Sequence, residues 1–324
     1  MGWPTLKKFR RRKRSARFIA GLALAAVLLG LGAVTGFDSR LDVRSFDIVS
    51  AKVSAPVRLV LVTDYHSCDY GPEQIELVSA IDAAAPDAVL FAGDIFDDDI
   101  PFDNSEELFT ILAPKYPLYY VTGNHELWSR RSNKIKEFLQ STGVQVLTGN
   151  YEPLTLPATN VIAHNQTGSA KTVSSVSSPT TPAPQVASPG TTVLIGGVDD
   201  PDIDNYSKSV PSYAAQLAKL SDATDNEFFT IILSHRPDRI NDFLPVQPDL
   251  VLSGHAHGGQ WRLPFILENG LFAPDQGLFP QYTNGIYHFG DTDMIVSRGL
   301  ARESTAIPRF HNRPELIIIN LTPA

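Results

Sequence analysis

The chain has 324 residues, 43% of them hydrophobic, which is enough for one large core or two small ones and too many for a globally disordered polymer. Its formal net charge of −8 hides an asymmetry: residues 1–17 hold eight basic side chains and no acidic one, so the rest carries −16, the total less those eight positive charges. An acidic body argues against a nucleic-acid partner, and a single cysteine, Cys68, excludes an intrachain disulfide and a cysteine-based zinc site.

Residues 18–37 form an uncharged run of 20 in which only Thr35 is polar. At 1.5 Å per residue a helix of that length spans about 30 Å, the thickness of a bilayer's hydrocarbon core. The basic cluster before it predicts an uncleaved anchor in the cell membrane. Residues 1–17 would stay in the cytoplasm against anionic lipid, and everything after the span would lie outside. The competing reading is a cleaved signal peptide, for which Val34-Thr35-Gly36 is a poor cleavage site. Residues 38–56 are polar and mixed and read as a tether, leaving 57–324 as the folded domain.

Within that domain, residues 57–63 read as a buried strand ending at Asp64. Residues 72–84 have helical spacing (Ile75, Leu77, Val78, Ile81), with Pro72 suited to a first turn. A strand at 88–92 ends at Gly93-Asp94, a helix follows at 104–112, and a strand at 118–122 ends at Gly123-Asn124. A helix at 132–142 is stopped by Gly143. This alternation predicts an α/β domain with its site at the carboxyl ends of the strands. Further strands are expected at 144–147, 193–197, 228–233, 250–253, 294–297 and 316–320. Residues 165–192 are almost all Ser, Thr, Pro, Ala, Gly and Val, with Lys171 as the one charge, and read as a disordered surface insertion or a glycosylated spacer. The Pro/Gly-rich apolar stretch 263–287 reads either as core or as a flap over an apolar substituent.

Five short pieces at strand ends are rich in metal-binding side chains: Asp64-Tyr65-His66, Gly93-Asp94-Ile95-Phe96-Asp97, Gly123-Asn124-His125-Glu126, Ser234-His235-Arg236 and Gly254-His255-Ala256-His257. Taken singly, each is an ordinary turn, cap or solvated loop. Taken together, imidazoles, carboxylates and an amide suit borderline divalent metals such as Zn, Fe and Mn. A pair of such ions needs a carboxylate between them to offset their repulsion. Cys68 reads as a bystander thiol, and His164, His288 and His311 lie outside these pieces.

In this order the five pieces resemble the calcineurin-like metallophosphoesterases. His257-Gly258-Gly259-Gln260, Ser297-Arg298-Gly299-Leu300 and Asn312-Arg313-Pro314-Glu315 are similar to the membrane-anchored bacterial branch of that superfamily. The resemblance implies a four-layer αββα sandwich, two mixed sheets face to face with helices outside. It also implies two divalent metal ions (Mn, Fe or Zn). Asp64, His66 and His257 would hold the first, Asn124, His235 and His255 the second, and Asp94 would bridge them. His125 would protonate the leaving oxygen, held by Asp97, and Arg298 would contact phosphate or form a structural ion pair. Asp98 stands where phosphoprotein phosphatases carry an arginine, which counts against a phosphoprotein substrate. The implied reaction is hydrolysis of a phosphomonoester, phosphodiester or pyrophosphate, with lipid-linked or cell-envelope esters among the candidate substrates. Alternatives are a hydrolase of the UDP-2,3-diacylglucosamine pyrophosphate type, whose cytoplasmic nucleotide the expected topology opposes, and a non-catalytic metal-binding surface protein. No motif bears on oligomeric state.

Overall fold

Apolar β-rich runs that are buried along nearly their whole length belong in the middle of sheets, and here they sit there. A computed structural model describes residues 35–157, 190–207, 210–222, 227–302 and 307–324, with isolated helical positions between 18 and 32. The expected anchor and most of the 165–192 insertion therefore lie outside the described residues. Among the described residues no helix is long and apolar enough to cross a membrane.

The strands, in chain order, are β1 (Asp42–Ser50), β2 (Val57–Val62), β3 (Ala88–Ala92), β4 (Leu118–Val121), β5 (Gln145–Val146), β6 (Asn150–Leu156), β7 (Thr191–Gly197), β8 (Phe229–Leu233), β9 (Leu250–Ser253), β10 (Phe272–Ala273), β11 (Gly277–Leu278), β12 (Gly285–Phe289), β13 (Thr292–Val296) and β14 (Glu315–Pro323). The helices are α1 (Ile75–Ala84), α2 (Asp103–Leu112), α3 (Asn124–Trp128), α4 (Ser132–Ser141), α5 (Ile203–Tyr206), α6 (Tyr213–Asp222) and α7 (Ile240–Phe243). One six-stranded sheet has the order β1-β14-β2-β3-β4-β5 and the other β12-β13-β9-β8-β7-β6, while β10 and β11 form a separate hairpin. Both large sheets are mixed: β2, β3, β4 and β5 run parallel, as do β7, β8, β9 and β13, with antiparallel pairs at β14–β2, β6–β7 and β12–β13.

The strands' period of two sorts their side chains into three cores. Leu59, Leu61, Leu90 and Val121 face Ile195, Ile231, Leu233 and Leu252 between the sheets. Val60, Val62, Val89 and Phe91 point the other way, onto Leu77 and Ile81 of α1, Leu108 and Phe109 of α2 and Leu139 of α4. On the far side, Ile232, Val251 and Val296 meet Leu220 of α6 and Phe243 of α7. Full burial of each such side chain contributes about 1.5–3 kcal/mol. The result is helices, sheet, sheet, helices.

Three expectations need correction. Residues 38–56 are not merely a tether, because β1 runs parallel to β14 along nine paired positions, from Asp42↔Glu315 to Ser50↔Pro323. The strand was hidden because its partly covered side begins with Asp42 and Arg44, which are held by ion pairs to Arg298 and Glu315 rather than by apolar packing. The stretch 263–287 is not core at its turns: Phe265 is 94% exposed, Ile266 81%, Phe279 70% and Leu278 67%. The inserted segment also ends earlier than expected, since Thr191 and Thr192 already belong to β7.

Candidate metal centre

Each site loop starts where a buried strand runs out: Asp64 and His66 after β2, Asp94 after β3, Asn124 after β4, His235 after β8, His255 and His257 after β9. Five of these seven donors have left-handed backbone: Asp64 (φ 47°), His66 (50°), Asp94 (53°), His255 (64°) and His257 (45°). Each such residue costs about 1–3 kcal/mol, and strain of this kind collects at ligand clamps. Gly93, at φ 86°, lets two loops meet, since a Cβ there would lie 2.5 Å from His235 Nδ1.

The seven side chains converge in a buried chamber. Asp94 Oδ2 lies 3.0 Å from His235 Nε2 and 3.7 Å from His66 Nε2, so one carboxylate oxygen stands between the two halves. On one side, Asp64, His66 and His257 bring ligand atoms within 4.8 Å of one another, with His257 Nε2 3.7 Å from Asp64 Oδ1. On the other, Asp94, His235 and His255 do the same. Asn124 lines the cavity, about 430 Å³, that opens onto Asp94 and His255.

Hydrogen bonds outside the chamber fix which ring nitrogen faces in. His235 Nδ1 is 2.9 Å from the Ala92 carbonyl, which leaves Nε2 inward. His66 Nδ1 is 2.9 Å from Asp97 Oδ2, which again leaves Nε2 inward. His255 Nε2 meets Asp275 Oδ2 at 2.7 Å, so its Nδ1 faces His235. Glu126 is fully buried and accepts four backbone N–H groups, from Asp94, Ile95, Phe96 and Gly123, locking the two loops that carry Asp94 and Asn124. Asn312 donates to the His257 and Gln260 carbonyls and holds the last loop from the β14 side.

Electrostatics in the chamber show what is being balanced. Burial pushes the His235 imidazolium down, but the Asp94 carboxylate outweighs burial and holds it up at about 10. Burial works against the Asp94 carboxylate, and His235 and His125 reverse that, holding it well below the ordinary carboxylate value. His257 is pushed well below the ordinary imidazole value by burial, then by His66 and Arg309, and so keeps a lone pair. Among the described residues, the buried atoms Asp64 Oδ2, His66 Nε2 and Asn124 Oδ1 of three of these donors have no hydrogen-bond partner. An orphaned buried acceptor ordinarily costs about 1–3 kcal/mol. Such unpartnered acceptors on side chains that converge with the Asp94 carboxylate fit divalent cations.

Two site expectations change. Asp97 does not hold His125: its carboxylate is 3.7 Å from His125 Nδ1 and is bonded to His66, while Asp98 Oδ1 stands 2.5 Å from His125 Nδ1. Along the turn after Asp94, the two aspartates alternate between the buried and the open side. Arg298 is not at the cavity: it pairs with Asp42 at 2.5 Å and Glu315 at 3.0 Å, and its loop supports Asp64 from behind through Gly299. The cation at the mouth is instead Arg236, whose guanidinium is held by Asp200, Asp202 and Asp275. Arg236 and Glu126 stand inside the sequence motifs and were identifiable there, whereas Asp275 lies in a stretch with no motif. Cys68 is buried, with Sγ accepting the Arg302 N–H at 3.3 Å, and exposed His288 pairs with Asp293.

The model of the calcineurin-like phosphoesterase family, Metallophos, matches residues 57–259. An uncharacterized metallophosphoesterase of Bacillus subtilis (strain 168), YkuE, is 26% identical over 333 residues, covering 98% of this chain and 99% of its own length. The phosphodiesterase YaeI of Escherichia coli (strain K12) is 28% identical over 83% of both chains. A transmembrane protein with a metallophosphoesterase domain from Danio rerio is 24% identical, over 75% of this chain and 51% of its own. A family match over more than half the chain, on a chamber of this composition, makes the protein a member of the calcineurin-like phosphoesterases and a metal-dependent hydrolase of phosphate esters.

Proposed function

We propose that the protein is a dimetal phosphodiesterase held at the cell membrane by residues 18–37, with its catalytic domain outside the cytoplasm. The observation that carries the catalytic part is the set of three buried, unpartnered donors beside the bridging-type carboxylate of Asp94. Asp64, His66 and His257 would hold one ion, Asn124, His235 and His255 the other, with Asp94 shared. Mn, Fe and Zn all suit this donor set. Two such cations supply positive charge to phosphate oxygens and lower the pKa of water between them.

The chain's own residues do the rest. His125 lines the cavity beside Asn124, and Asp98 holds its Nδ1 side, so the ring can present a proton from Nε2 to a leaving oxygen. Asp97 and Asp275 keep His66 and His255 turned inward. A diester monoanion suits the mouth better than a monoester dianion, because the cation there, Arg236, is already matched by three carboxylates. The E. coli relative's name, phosphodiesterase, supports the same class.

For the anchor, the support is the uncharged 20-residue run behind eight basic groups. The test of the chemistry is metal analysis of the purified chain followed by rates on paired aryl phosphodiesters and monoesters. Two equivalents of metal with diester preference support the reading. Full metal occupancy with monoester preference would overturn the diester assignment.

A further inference from the structure

The exposed apolar residues of 261–280 form two adjoining turns. Leu263-Pro264-Phe265-Ile266-Leu267 closes on itself, Leu267 N–H donating to the Leu263 carbonyl at 2.8 Å and Ile266 N–H to the same oxygen at 3.1 Å. The second turn presents Leu278 and Phe279, with Phe279 N–H bonded to the Leu271 carbonyl at 2.9 Å. Phe265 (φ 67°) and Phe279 (φ 56°) are both left-handed. Aromatic side chains are thus held outward at a backbone cost, by turns whose polar groups are largely satisfied internally. Phe265, at 94%, is the most exposed large apolar side chain among the described residues.

The surroundings say what covers this tip. Trp261 contacts Phe310 (centroids 6.2 Å), and Phe310 contacts Phe37 (5.2 Å), the last residue of the apolar run 18–37. The tip is therefore joined by a short aromatic chain to the point where that run, mostly outside the described residues, ends. Arg40 and Arg313 flank that point through Asp38. Arg262, at the base of the tip, donates to the Gly258 carbonyl at 3.4 Å and to Asn284 Oδ1 at 3.2 Å, both neutral acceptors. Together with Arg298, His311, Glu268 and Phe265 it lines a cavity of about 530 Å³. An apolar tip over an arginine, flanked by an indole, has the layering of a membrane interface.

We propose that 261–280 is a membrane-inserting loop: Phe265, Ile266, Leu278 and Phe279 enter an anionic leaflet while Trp261 and Arg262 sit at headgroup level. Phe272, paired with Leu278 across the hairpin, lines the metal cavity, so insertion brings the mouth to the bilayer surface. The site then takes phosphate esters presented by that surface. The inference extends the reading of 18–37 as an anchor and rests on it for the side from which the bilayer approaches.

Because Cys68 is buried, a single introduced cysteine can be labelled in the full chain. Ile266→Cys would carry an environment-sensitive fluorophore. Ser141→Cys, exposed at the end of α4 beside β5, would be the control at the sheet edge opposite β1. Vesicles are phosphatidylcholine with phosphatidylglycerol, with and without brominated acyl chains, and flotation is scored separately. Emission at 266 should fall about twofold with brominated chains while that at 141 stays constant. Leu278→Asp with Phe279→Asp should restore it. Flotation without quenching overturns the loop and leaves the anchor standing. Quenching without stable flotation supports the loop and overturns the anchor, and neither signal overturns both. Quenching that survives the aspartates means the label itself partitions, which overturns the proposal. A label response to protein concentration without vesicles makes the tip a contact between copies, which also overturns it.

Discussion

Asp98 Oδ1 stands 2.5 Å from His125 Nδ1, on the open side of the metal chamber. Its neighbour Asp97 turns the other way, onto His66 Nδ1 at 2.9 Å. Adjacent aspartates therefore serve a proton donor and a ligand, and their variants should fail differently.

Asp98→Asn should keep both metals and slow hydrolysis of esters with poor leaving groups about 10–10²-fold, with His125→Ala slower still, about 10²–10⁴-fold. Both losses should shrink for acidic phenols, which need little protonation. Asp97→Asn should instead weaken metal retention about 10–100-fold, with rate recovered by excess Mn. Metal content and a leaving-group series measure the contrast. Equal losses across all leaving groups for Asp98→Asn would remove His125 from the proton-transfer role.

Arg298→Met should act on stability and not on substrate. It leaves buried Glu315 with Arg44 as its remaining cation, so the loss should stay below the ~3–5 kcal/mol that a stranded buried charge costs. Denaturant midpoints should fall while KM for an aryl diester is unchanged. A raised KM at unchanged stability would return Arg298 to the substrate.

Alkaline pH should destabilise the domain through Tyr119 and Tyr151. Burial holds each phenol up at about 12, helped at Tyr119 by Glu152. The unfolded phenol ionises near 10, so between about 10 and 12 the folded state binds more protons and stability falls as pH rises. Below that window the contribution is complete. Denaturant midpoints across the window, with phenolate absorbance read in parallel, test this; a flat stability profile would contradict it.

A reporter fused after Ala324 should be active only outside the cytoplasm, because the eight basic residues precede the apolar run. Cytoplasmic activity would reverse the topology and bring nucleotide-linked substrates back into consideration.

Metal-binding side chains at the ends of buried strands were legible in the sequence because both features are local, while their assignment to two ions came from the resemblance to the calcineurin-like family. Val57–Val62 and Ala88–Ala92 announce themselves by composition, and the turn after each carries the ligand. The helices at 75–84, 103–112 and 132–141 follow from apolar spacing in the same way.

What composition could not carry was pairing across distance and the direction of single side chains. β1 is a strand only because β14, some 270 residues later, offers it a parallel edge, and because Arg298 and Glu315 complete its charged end. Asp97 and Asp98 are the same residue type one position apart, so no spacing rule assigns one to His66 and the other to His125; the turn's dihedrals do. The stretch 263–287 read either as core or as a flap until the tertiary structure left its turns outside. Local sequence determined most of the buried strands and helices and the chemistry that collects at their ends; the packing of distant segments decided the edge strand β1 and which side chain faces which partner, since both depend on surfaces brought together only in the folded chain.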